Sequence, residues 1–481
     1  MTSVKPRADG NPIGRDLTER GYDLAALLFV LVFFVLLFRI RAYLPIFSDS
    51  WYHLSVIRGF AENGFSLRAW WEFAPFGRPH LYSPLFHIVG VGILGVTGLS
   101  LTNLATLYDI VTFPLLLSAG WLAARCLFGT RAAFVTLLLL SLNIGLLFPC
   151  SLIMMPGTYA LILWPFVHVL ALRKRWIGAG LLLSVMWYLH FGVASVAAVS
   201  LLIFAVFRCE DWKPILATVA TTCVIFSPWL IHLYCHREFL HVGTARLPVF
   251  IPVFTIVAAI LAVRATVRQP TKESLAMTAA ALACALFLFT LRERFWTYGG
   301  FLLAIFGGHG IERCTPRQMK LMMIVLLVSC VSVTPFLKPP RMKLALPVPF
   351  QSTPGHMATP FLALLQWQRA DKAIEVSEAM PADVFVLADW ITSNVKADEI
   401  IITDDRLLGG CVFALTGRKT TSGLWGETMT NDLTDKLAEY RRNATGYLIL
   451  GADKSLARES PSKVIPIATF GRYSVYYRQP A

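Results

Sequence analysis

Long hydrophobic runs separated by short polar segments repeat along the chain as far as residue 337. Each is of a length that spans a bilayer, roughly 17–25 residues, and together they predict about eleven transmembrane helices. The runs lie near 23–43, 103–126, 131–149, 156–173, 176–191, 192–208, 214–235, 248–264, 274–291, 296–312 and 318–337. The composition agrees, because 56% of the residues are hydrophobic and only 15% are charged, which is typical of a polytopic membrane protein.

Lysine and arginine are concentrated in alternate connections between these runs. The basic connections are 1–22, 173–175, 208–213, 264–272 and 313–320. The positive-inside rule places such segments in the cytoplasm, and an odd number of spans then places the chain after residue 337 outside. We therefore predict a multi-pass protein of the cell inner membrane or an equivalent membrane, with the N-terminus cytoplasmic and the C-terminus extracytoplasmic. The net charge of +14 reflects this topology and does not indicate binding to nucleic acid.

The pattern divides the chain into four parts. Residues 1–22 form a cytoplasmic tail, and residues 23–337 form a transmembrane domain whose first external loop is 44–102. Within that loop, the apolar segment 84–98 is predicted to lie as a helix in the outer interface. Residues 338–380 are an external linker. Residues 381–481 form a small external domain.

Shorter alternating segments in this last part predict an α/β layer. Helices are expected over 383–395, 407–415 and 428–442, and strands over 399–403, 447–450, 464–467 and 473–477. The predicted fold class is therefore an α-helical polytopic membrane protein with a small C-terminal α/β extracytoplasmic domain.

The first external loop contains the strongest candidate for chemistry. Asp49 and His53 are four residues apart, so a helix over 49–62 would bring them to one face. A carboxylate there can act as a general base or bind a divalent cation, or it can simply cap the helix. On that helix, Trp51, Leu54 and Phe60 are expected to face lipid.

Further candidates lie in other segments of the same predicted side. Arg78, His80 and Tyr82 form a loop that can hold phosphate, or that anchors the chain in the interface. His190 lies at an outer helix end. Any one of these is more often structural than functional.

Two arginines interrupt the apolar runs at the predicted outer face. Arg292 and Arg294 flank Glu293 where the positive-inside rule disfavours them. A guanidinium group suits bidentate binding of phosphate, although an ion pair with Glu293 would also explain them. Asp109 is different, because it lies inside a predicted span, where it would either pair with another buried polar group or mark a proton or ion path.

These motifs, taken in order, resemble a known family. The first span is followed by Asp49-Ser50-Trp51-Tyr52-His53-Leu54 and then by a Gly/Pro-rich stretch ending in Leu81-Tyr82-Ser83-Pro84. This resembles the first external loop of GT-C glycosyltransferases, most of all the oligosaccharyltransferase catalytic subunit and its archaeal relatives. Arg294-Phe295 before a Gly-rich span resembles the arginine that contacts the lipid-linked phosphate in that family.

The resemblance implies a GT-C-like fold and a membrane glycosyltransferase. Its donor would be a sugar linked to polyprenyl phosphate, and its acceptor a glycan, lipid or protein on the extracytoplasmic side. Asp49 would be the active-site carboxylate, as a base or as a ligand of a divalent cation (Mg or Mn), with His53 beside it. Arg294 would hold the phosphate, with Arg78, His80, Tyr82, His190 and Arg292 as further substrate-binding candidates.

The chain also departs from the family. The second external loop of the family carries an acidic pair, whereas residues 149–158 here read PCSLIMMPGT. A metal-independent mechanism therefore stays open beside a metal-dependent one. Two other functions stay open as well: a non-catalytic GT-C-like partner in glycan assembly, and a polytopic transporter or flippase.

Overall fold

The structure is a computed structural model that describes residues 12–41, 46, 48–208, 212–240, 252–291, 294–330, 333–335, 351–353, 356–366, 383–424, 430–451 and 464–479. Up to residue 330 the longer elements are helices. They are α1 (Pro12–Ile40), α2 (Ser48–Asn63), α3 (Leu85–Thr97), α4 (Leu101–Phe128), α5 (Thr130–Ser141), α6 (Ile144–Ser151), α7 (Pro156–Leu172), α8 (Trp176–Leu189), α9 (Phe191–Phe207), α10 (Trp212–Cys235), α11 (Val253–Arg268), α12 (Lys272–Leu291), α13 (Arg294–Glu312) and α14 (Pro316–Cys330).

The hydrophobic runs predicted to span coincide with helices in the described residues, with two exceptions. In the run 318–337 the helix ends at Cys330 and a short strand occupies Val333–Pro335, and the run 131–149 is divided between α5 and α6. The division falls at Asn143, whose side-chain oxygen accepts a hydrogen bond from the backbone N–H of Gly145 at 3.0 Å. Such a local bond competes with the helical ladder. Among the described residues, Glu19–Ile40, α4 and α10 are both long enough and apolar enough to cross a membrane, by length and composition.

Close contacts between helices hold the middle of the bundle together. A Cβ atom added to Gly310 on α13 would collide with the backbone N of Ala262 on α11. A Cβ atom added to Gly308 would collide with the Thr136 hydroxyl on α5. Small residues at such crossings let the backbones approach closely, which is a common way of packing helices in membranes.

The region after α14 contains three short strands and a helix, the first strand at the end of the last predicted span and the other elements in the predicted linker. Strands β3 (Val333–Pro335), β4 (Gln351–Thr353) and β5 (His356–Ala358) form a sheet in the order β3-β5-β4, and α15 (Pro360–Gln366) follows. The Phe361 ring packs edge-on against Phe33 of α1, with the centroids 6.4 Å apart. This segment therefore packs against the first helix.

The C-terminal part is the predicted α/β layer. It contains α16 (Asp383–Asn394), α17 (Arg406–Thr416) and α18 (Asn431–Asn443), and an antiparallel sheet β6-β8-β7 formed by β6 (Gly446–Leu450), β7 (Val464–Phe470) and β8 (Tyr473–Arg478). The expected strand at 399–403 appears as two parallel bridges, Ile401 to Thr420 and Ile402 to Leu448. Together with the helices that precede it, this layer confirms the predicted fold class.

The predicted first external loop contains two very short strands after α2. Strands β1 (Arg68–Ala69) and β2 (Arg78–Pro79) pair in an antiparallel ladder. Trp71, between them, stacks on Phe413 of α17 with ring centroids 5.7 Å apart. The C-terminal layer therefore lies directly on the first loop.

The burial of three apolar side chains corrects the expectation that one face of α2 touches lipid. Trp51 and Leu54 are 0% exposed, and Phe60 is 4% exposed. The apolar side of α2 packs against α3, α4 and α17 instead. A helix in this position is an inner element of the protein, enclosed by segments far from it in the sequence.

Candidate active site

The N-terminal end of α2 presents the candidate carboxylate. Asp49 lies in the first turn and is exposed, whereas His53, one turn further along, is 3% exposed. The Ser50 hydroxyl accepts a hydrogen bond from the backbone N–H of Met154 at 3.1 Å. This bond fixes the start of α2 against the segment between α6 and α7, which is the predicted second external loop. The expected pairing of Asp49 and His53 on one helical face agrees with the α2 geometry.

Three buried histidines, here called the histidine cluster, lie beside this helix: His53, His80 and His87. His53 Nδ1 and His87 Nε2 are 2.9 Å apart, so one ring nitrogen donates a hydrogen bond to the other. The rings of His80 and His87 are 5.6 Å apart between centroids. All three are at most 3% exposed, so the cluster lies inside the protein.

Burial determines the protonation of the histidine cluster. Desolvation lowers the pKa of His53 well below its ordinary value, and the charges of His87 and His190 add to the effect. The pKa values of His80 and His87 are lowered well below the ordinary value for the same first reason, with Arg78 contributing to both. All three imidazoles are therefore neutral at pH 7 and act as hydrogen-bonding groups.

A chain of contacts connects His53 to α13. The Tyr82 ring lies 5.1 Å from the His53 ring and 6.1 Å from the His190 ring, measured between centroids. His190 caps α9, because its Nδ1 accepts a hydrogen bond from the N–H of Val193 at 3.2 Å. A Cβ atom on Gly157 would lie 2.6 Å from the Tyr298 hydroxyl and 3.3 Å from the His190 ring. Tyr298 and His190 therefore flank the same glycine.

This arrangement indicates where α13 begins relative to the candidate site. Arg294 is the first residue of α13, four positions before Tyr298, and residues four apart lie on the same face of a helix. The backbone of Arg294 is thus one turn from the residue that packs beside Gly157 and His190. The side chain of Arg294 and the whole of Arg292 lie outside the described residues.

Arg78 has a different surrounding from the one expected for a phosphate ligand. It is 1% exposed and donates through Nε and Nη2 to one oxygen of Glu72, at 3.2 and 3.0 Å. Burial acts to lower the pKa of Arg78, but the charge of Glu72, followed by that of Tyr52, outweighs it and raises the pKa. We therefore assign Arg78 a structural role as one half of a buried ion pair.

Three residues of this region gave little signal in the sequence. Glu72 is a single acid in a loop, His87 stands in an apolar run, and Tyr298 stands in a predicted span. The hydrophobic pattern assigns His87 and Tyr298 to apolar helices. It does not indicate which polar side chains from other segments lie beside them. The spacing of charged residues, six positions from Glu72 to Arg78, is the one feature that could have indicated the ion pair.

The described residues supply few ligands for a metal. Among them, no group of three or more histidine, cysteine, aspartate or glutamate side chains is placed to hold a metal ion. Asp49 and His53 provide two candidate ligands at most, whereas divalent cations bound by protein oxygen ligands usually have more. The predicted metal-binding role of Asp49 stays a prediction.

Comparison with known proteins gives a clear answer for the fold. No protein-family model and no curated protein matches the sequence. ArnT from Cupriavidus metallidurans bound to undecaprenyl phosphate superimposes with a TM-score of 0.63 at 16% identity, over 94% of this chain and 97% of that one. The Archaeoglobus fulgidus oligosaccharyltransferase gives 0.61 at 9% identity, over 89% and 69%. The mycobacterial arabinofuranosyltransferase AftD gives 0.62 at 12% identity, over 96% and 40%.

The chain therefore has the GT-C-like fold of these glycosyltransferases, which confirms the resemblance seen in its motifs. The likeness extends over about nine tenths of the chain or more in each comparison. Structures of the Archaeoglobus enzyme have been solved with zinc and sulfate, and with an inhibitory peptide and a dolichol-phosphate. At these levels of identity, the comparisons establish the architecture and leave the chemistry of this chain to its own residues.

Proposed function

We propose that this protein is a membrane glycosyltransferase that moves a sugar from a polyprenyl-phosphate-linked donor to an acceptor on the extracytoplasmic side. One observation carries the proposal. In a chain with a GT-C-like fold, the carboxylate-bearing start of α2 and the arginine-bearing start of α13 are linked through Tyr82, His190 and Gly157. The acceptor is a glycan, a lipid or a protein.

In the proposed reaction, Asp49 is the general base. It takes the proton from the acceptor hydroxyl or amide as that group forms a bond to the anomeric carbon of the sugar. The bond between the anomeric carbon and the phosphate oxygen breaks, and the electron pair leaves with the polyprenyl phosphate. Arg294 binds that phosphate, because a guanidinium group matches its oxygens bidentately and stabilises the charge that develops on it.

Apart from Arg78, which has the structural role given above, the other candidates bind the reactants or support the site. Tyr82 and His190 lie between the two ends of the site, where they can contact the sugar or the phosphate. His53 is buried and neutral one turn from Asp49, so we assign it to positioning the N-terminal turn of α2. His80 belongs to the buried cluster behind it, and its carbonyl accepts a hydrogen bond from His232 Nε2 at 2.9 Å.

Asp49 is also placed where it could bind a divalent cation. Asp49 would be a ligand, and Mg or Mn would supply charge stabilisation to the leaving phosphate. Activity measured after dialysis against a chelator, and again after Mg or Mn is returned, distinguishes a metal-dependent enzyme from a metal-independent one.

The proposed orientation places the candidate site outside the cytoplasm. This orientation follows from the positive-inside rule, which assigns the helix ends at the basic connections to the cytoplasm. The end of α13 that begins at Arg294 is the opposite end from its basic connection. The C-terminal layer packs on the first loop and belongs to the same side. A reporter active only in the cytoplasm, fused after Ala481, should be inactive, and full activity would refute this topology.

The decisive experiment separates a catalytic Asp49 from a helix cap. Asparagine retains most of the capping ability of aspartate, and losing a cap costs only about 1 kcal/mol. Loss of a general base should reduce donor turnover by on the order of 100-fold or more. We therefore expect purified Asp49→Asn to keep its melting temperature and lose turnover. Near-normal turnover would make Asp49 a cap and refute the assignment.

A second variant tests the phosphate site. Arg294→Lys keeps the charge but loses the planar fork, so the donor KM should rise while the fold is retained. Arg173→Lys, in a basic connection far from the site, is the matched control and should leave the KM unchanged. Equal changes of the donor KM in the two variants would show that Arg294 does not bind the phosphate.

A non-catalytic partner in glycan assembly is the second candidate. It is favoured by the segment 149–158, which contains no acid where the related enzymes carry a pair. In that case, the purified wild-type chain would bind a polyprenyl-phosphate donor without turning it over, with any acceptor offered.

A further inference from the structure

A cavity of about 630 Å³ lies at the end of the bundle opposite the candidate active site. It opens between the C-terminal ends of α11 and α13 and the beginning of α14. From Arg294 to Glu312, α13 rises about 27 Å at 1.5 Å per residue, so this cavity and the start of α13 are separated by most of a bilayer. Its size is within the range of small-molecule sites.

Three arginines line this cavity, and here they are called the arginine triad: Arg264, Arg268 and Arg313. Arg264 and Arg268 are one turn apart on α11, and Arg313 follows the last residue of α13. All three are exposed. None of them forms an ion pair with another residue in the described part of the chain, although Glu312 lies close enough to Arg313 to interact electrostatically. The cavity therefore carries an excess of positive charge.

The rest of the lining is mixed, with polar side chains at Gln269, Thr315 and Gln318 and larger apolar side chains on one side. Leu261, Leu321 and Met322 line the cavity, and Leu321 is 62% exposed. Ile260 on α11 and Ile324 on α14 are also exposed, by 62% and 57%. In a membrane protein, such side chains face lipid. The cavity thus combines a basic end with apolar side chains on helices that expose further apolar residues on their outer faces.

We propose that this cavity binds the phosphate headgroup of an anionic membrane lipid on the predicted cytoplasmic side. A guanidinium group binds phosphate oxygens bidentately, and basic pockets between transmembrane helices on the cytoplasmic side suit acidic headgroups. A soluble phosphate compound would satisfy the arginine triad but would leave the apolar side without a partner. The acyl chains of a lipid cover that side, which is why we assign the site to a lipid.

Native mass spectrometry of the purified protein tests the assignment. The protein is mixed with phosphatidylglycerol or phosphatidylcholine of the same acyl composition, and the bound fraction of each lipid is measured. Each arginine near a membrane surface contributes roughly a fivefold change in affinity for an anionic lipid. We expect phosphatidylglycerol to be preferred, and Arg264→Gln/Arg268→Gln to weaken its binding by about 25-fold. Arg313→Gln alone should weaken it by about fivefold.

The matched control is Arg173→Gln/Arg175→Gln, which removes the same charge from another exposed basic connection on the same predicted side. It should leave phosphatidylglycerol binding unchanged. Equal losses in the two double variants would show general surface attraction and overturn the proposal, as would equal binding of the two lipids. Displacement of the lipid by millimolar inorganic phosphate would show that the site takes the free anion and would overturn the assignment to a lipid.

Discussion

Removing the charge of Glu72 should destabilise the protein far more than removing the charge of another glutamate close by. Glu72 is 0% exposed and accepts hydrogen bonds from Arg78 and from the Ser55 hydroxyl, the latter at 3.0 Å. Glu72→Gln leaves the Arg78 guanidinium buried without an opposite charge. Breaking a buried pair from one side typically costs about 3–5 kcal/mol.

A second ion pair nearby, on α2, provides a matched control. Arg58 and Glu62 on α2 form an ion pair at 2.7 Å, but their side chains are 24% and 40% exposed. Water screens such a pair, so Glu62→Gln should cost less than about 1 kcal/mol. The two substitutions are chemically identical, and the main difference between the two sites is the burial of the ion pair.

A double variant separates the value of the pair from the cost of leaving one partner alone. In Glu72→Met/Arg78→Met both charges are replaced by apolar groups, which is often close to neutral for a buried pair. Ser55 keeps a partner in the double variant, because its hydroxyl also donates to the Tyr52 carbonyl at 2.8 Å. We therefore expect the double variant to be more stable than Glu72→Gln.

Thermal unfolding in detergent, followed with a thiol-reactive dye, measures these effects. Exposed cysteines such as Cys126, Cys223 and Cys235 react before unfolding, whereas Cys411 and the other buried cysteines react only when the fold opens, so the rise above the initial dye signal reports unfolding. At about 2 °C per kcal/mol, Glu72→Gln should lower the transition by about 6–10 °C and Glu62→Gln by less than about 2 °C. Equal shifts in the two single variants, or a double variant less stable than Glu72→Gln, would refute the reasoning.

Two more predictions concern the histidine cluster and the contact between α11 and α13. The pKa values of the three histidines are lowered in the folded state, so the unfolded chain binds more protons below about pH 6.5. The free energy of unfolding should therefore be highest above that pH and should fall at lower pH, by about 1.4 kcal/mol per pH unit for each histidine. A melting temperature that is constant from pH 7.5 to 5.5 would contradict this. Gly310→Ala should reduce the yield of folded protein, because its Cβ would collide with Ala262, whereas Gly92→Ala meets nothing within 4 Å and should be tolerated; equal yields from the two would be inconsistent with the close helix crossing.

The positions of the helices could be predicted from the sequence because the bilayer imposes length and apolarity on each span. Spacing alone was also sufficient to place Asp49 and His53 on one face of α2. Both features are local, since they depend on residues within one element. The same is true of α17, whose predicted bounds 407–415 are close to those observed, Arg406–Thr416.

The surroundings of α2 could not be predicted in this way. Its apolar residues read as lipid-facing because an apolar stripe looks the same whether lipid or protein covers it. What covers them includes α17, more than 340 positions later in the chain. The ion pair of Glu72 and Arg78 was missed for a related reason: a charge in a loop reads as solvated unless the elements that enclose it are known.

The contact between the first loop and the C-terminal layer has a consequence for how the protein is made. Trp71 stacks on Phe413, and the backbone N–H of Thr420 donates to the Trp71 carbonyl at 3.1 Å. At roughly 5–20 residues per second, the ribosome needs about 20–70 s after Trp71 to produce these partners. During that interval the side chains of the first loop that contact α17 in the folded protein lack these partners. A nascent chain of this protein thus depends on protection of an early segment until its last hundred residues arrive.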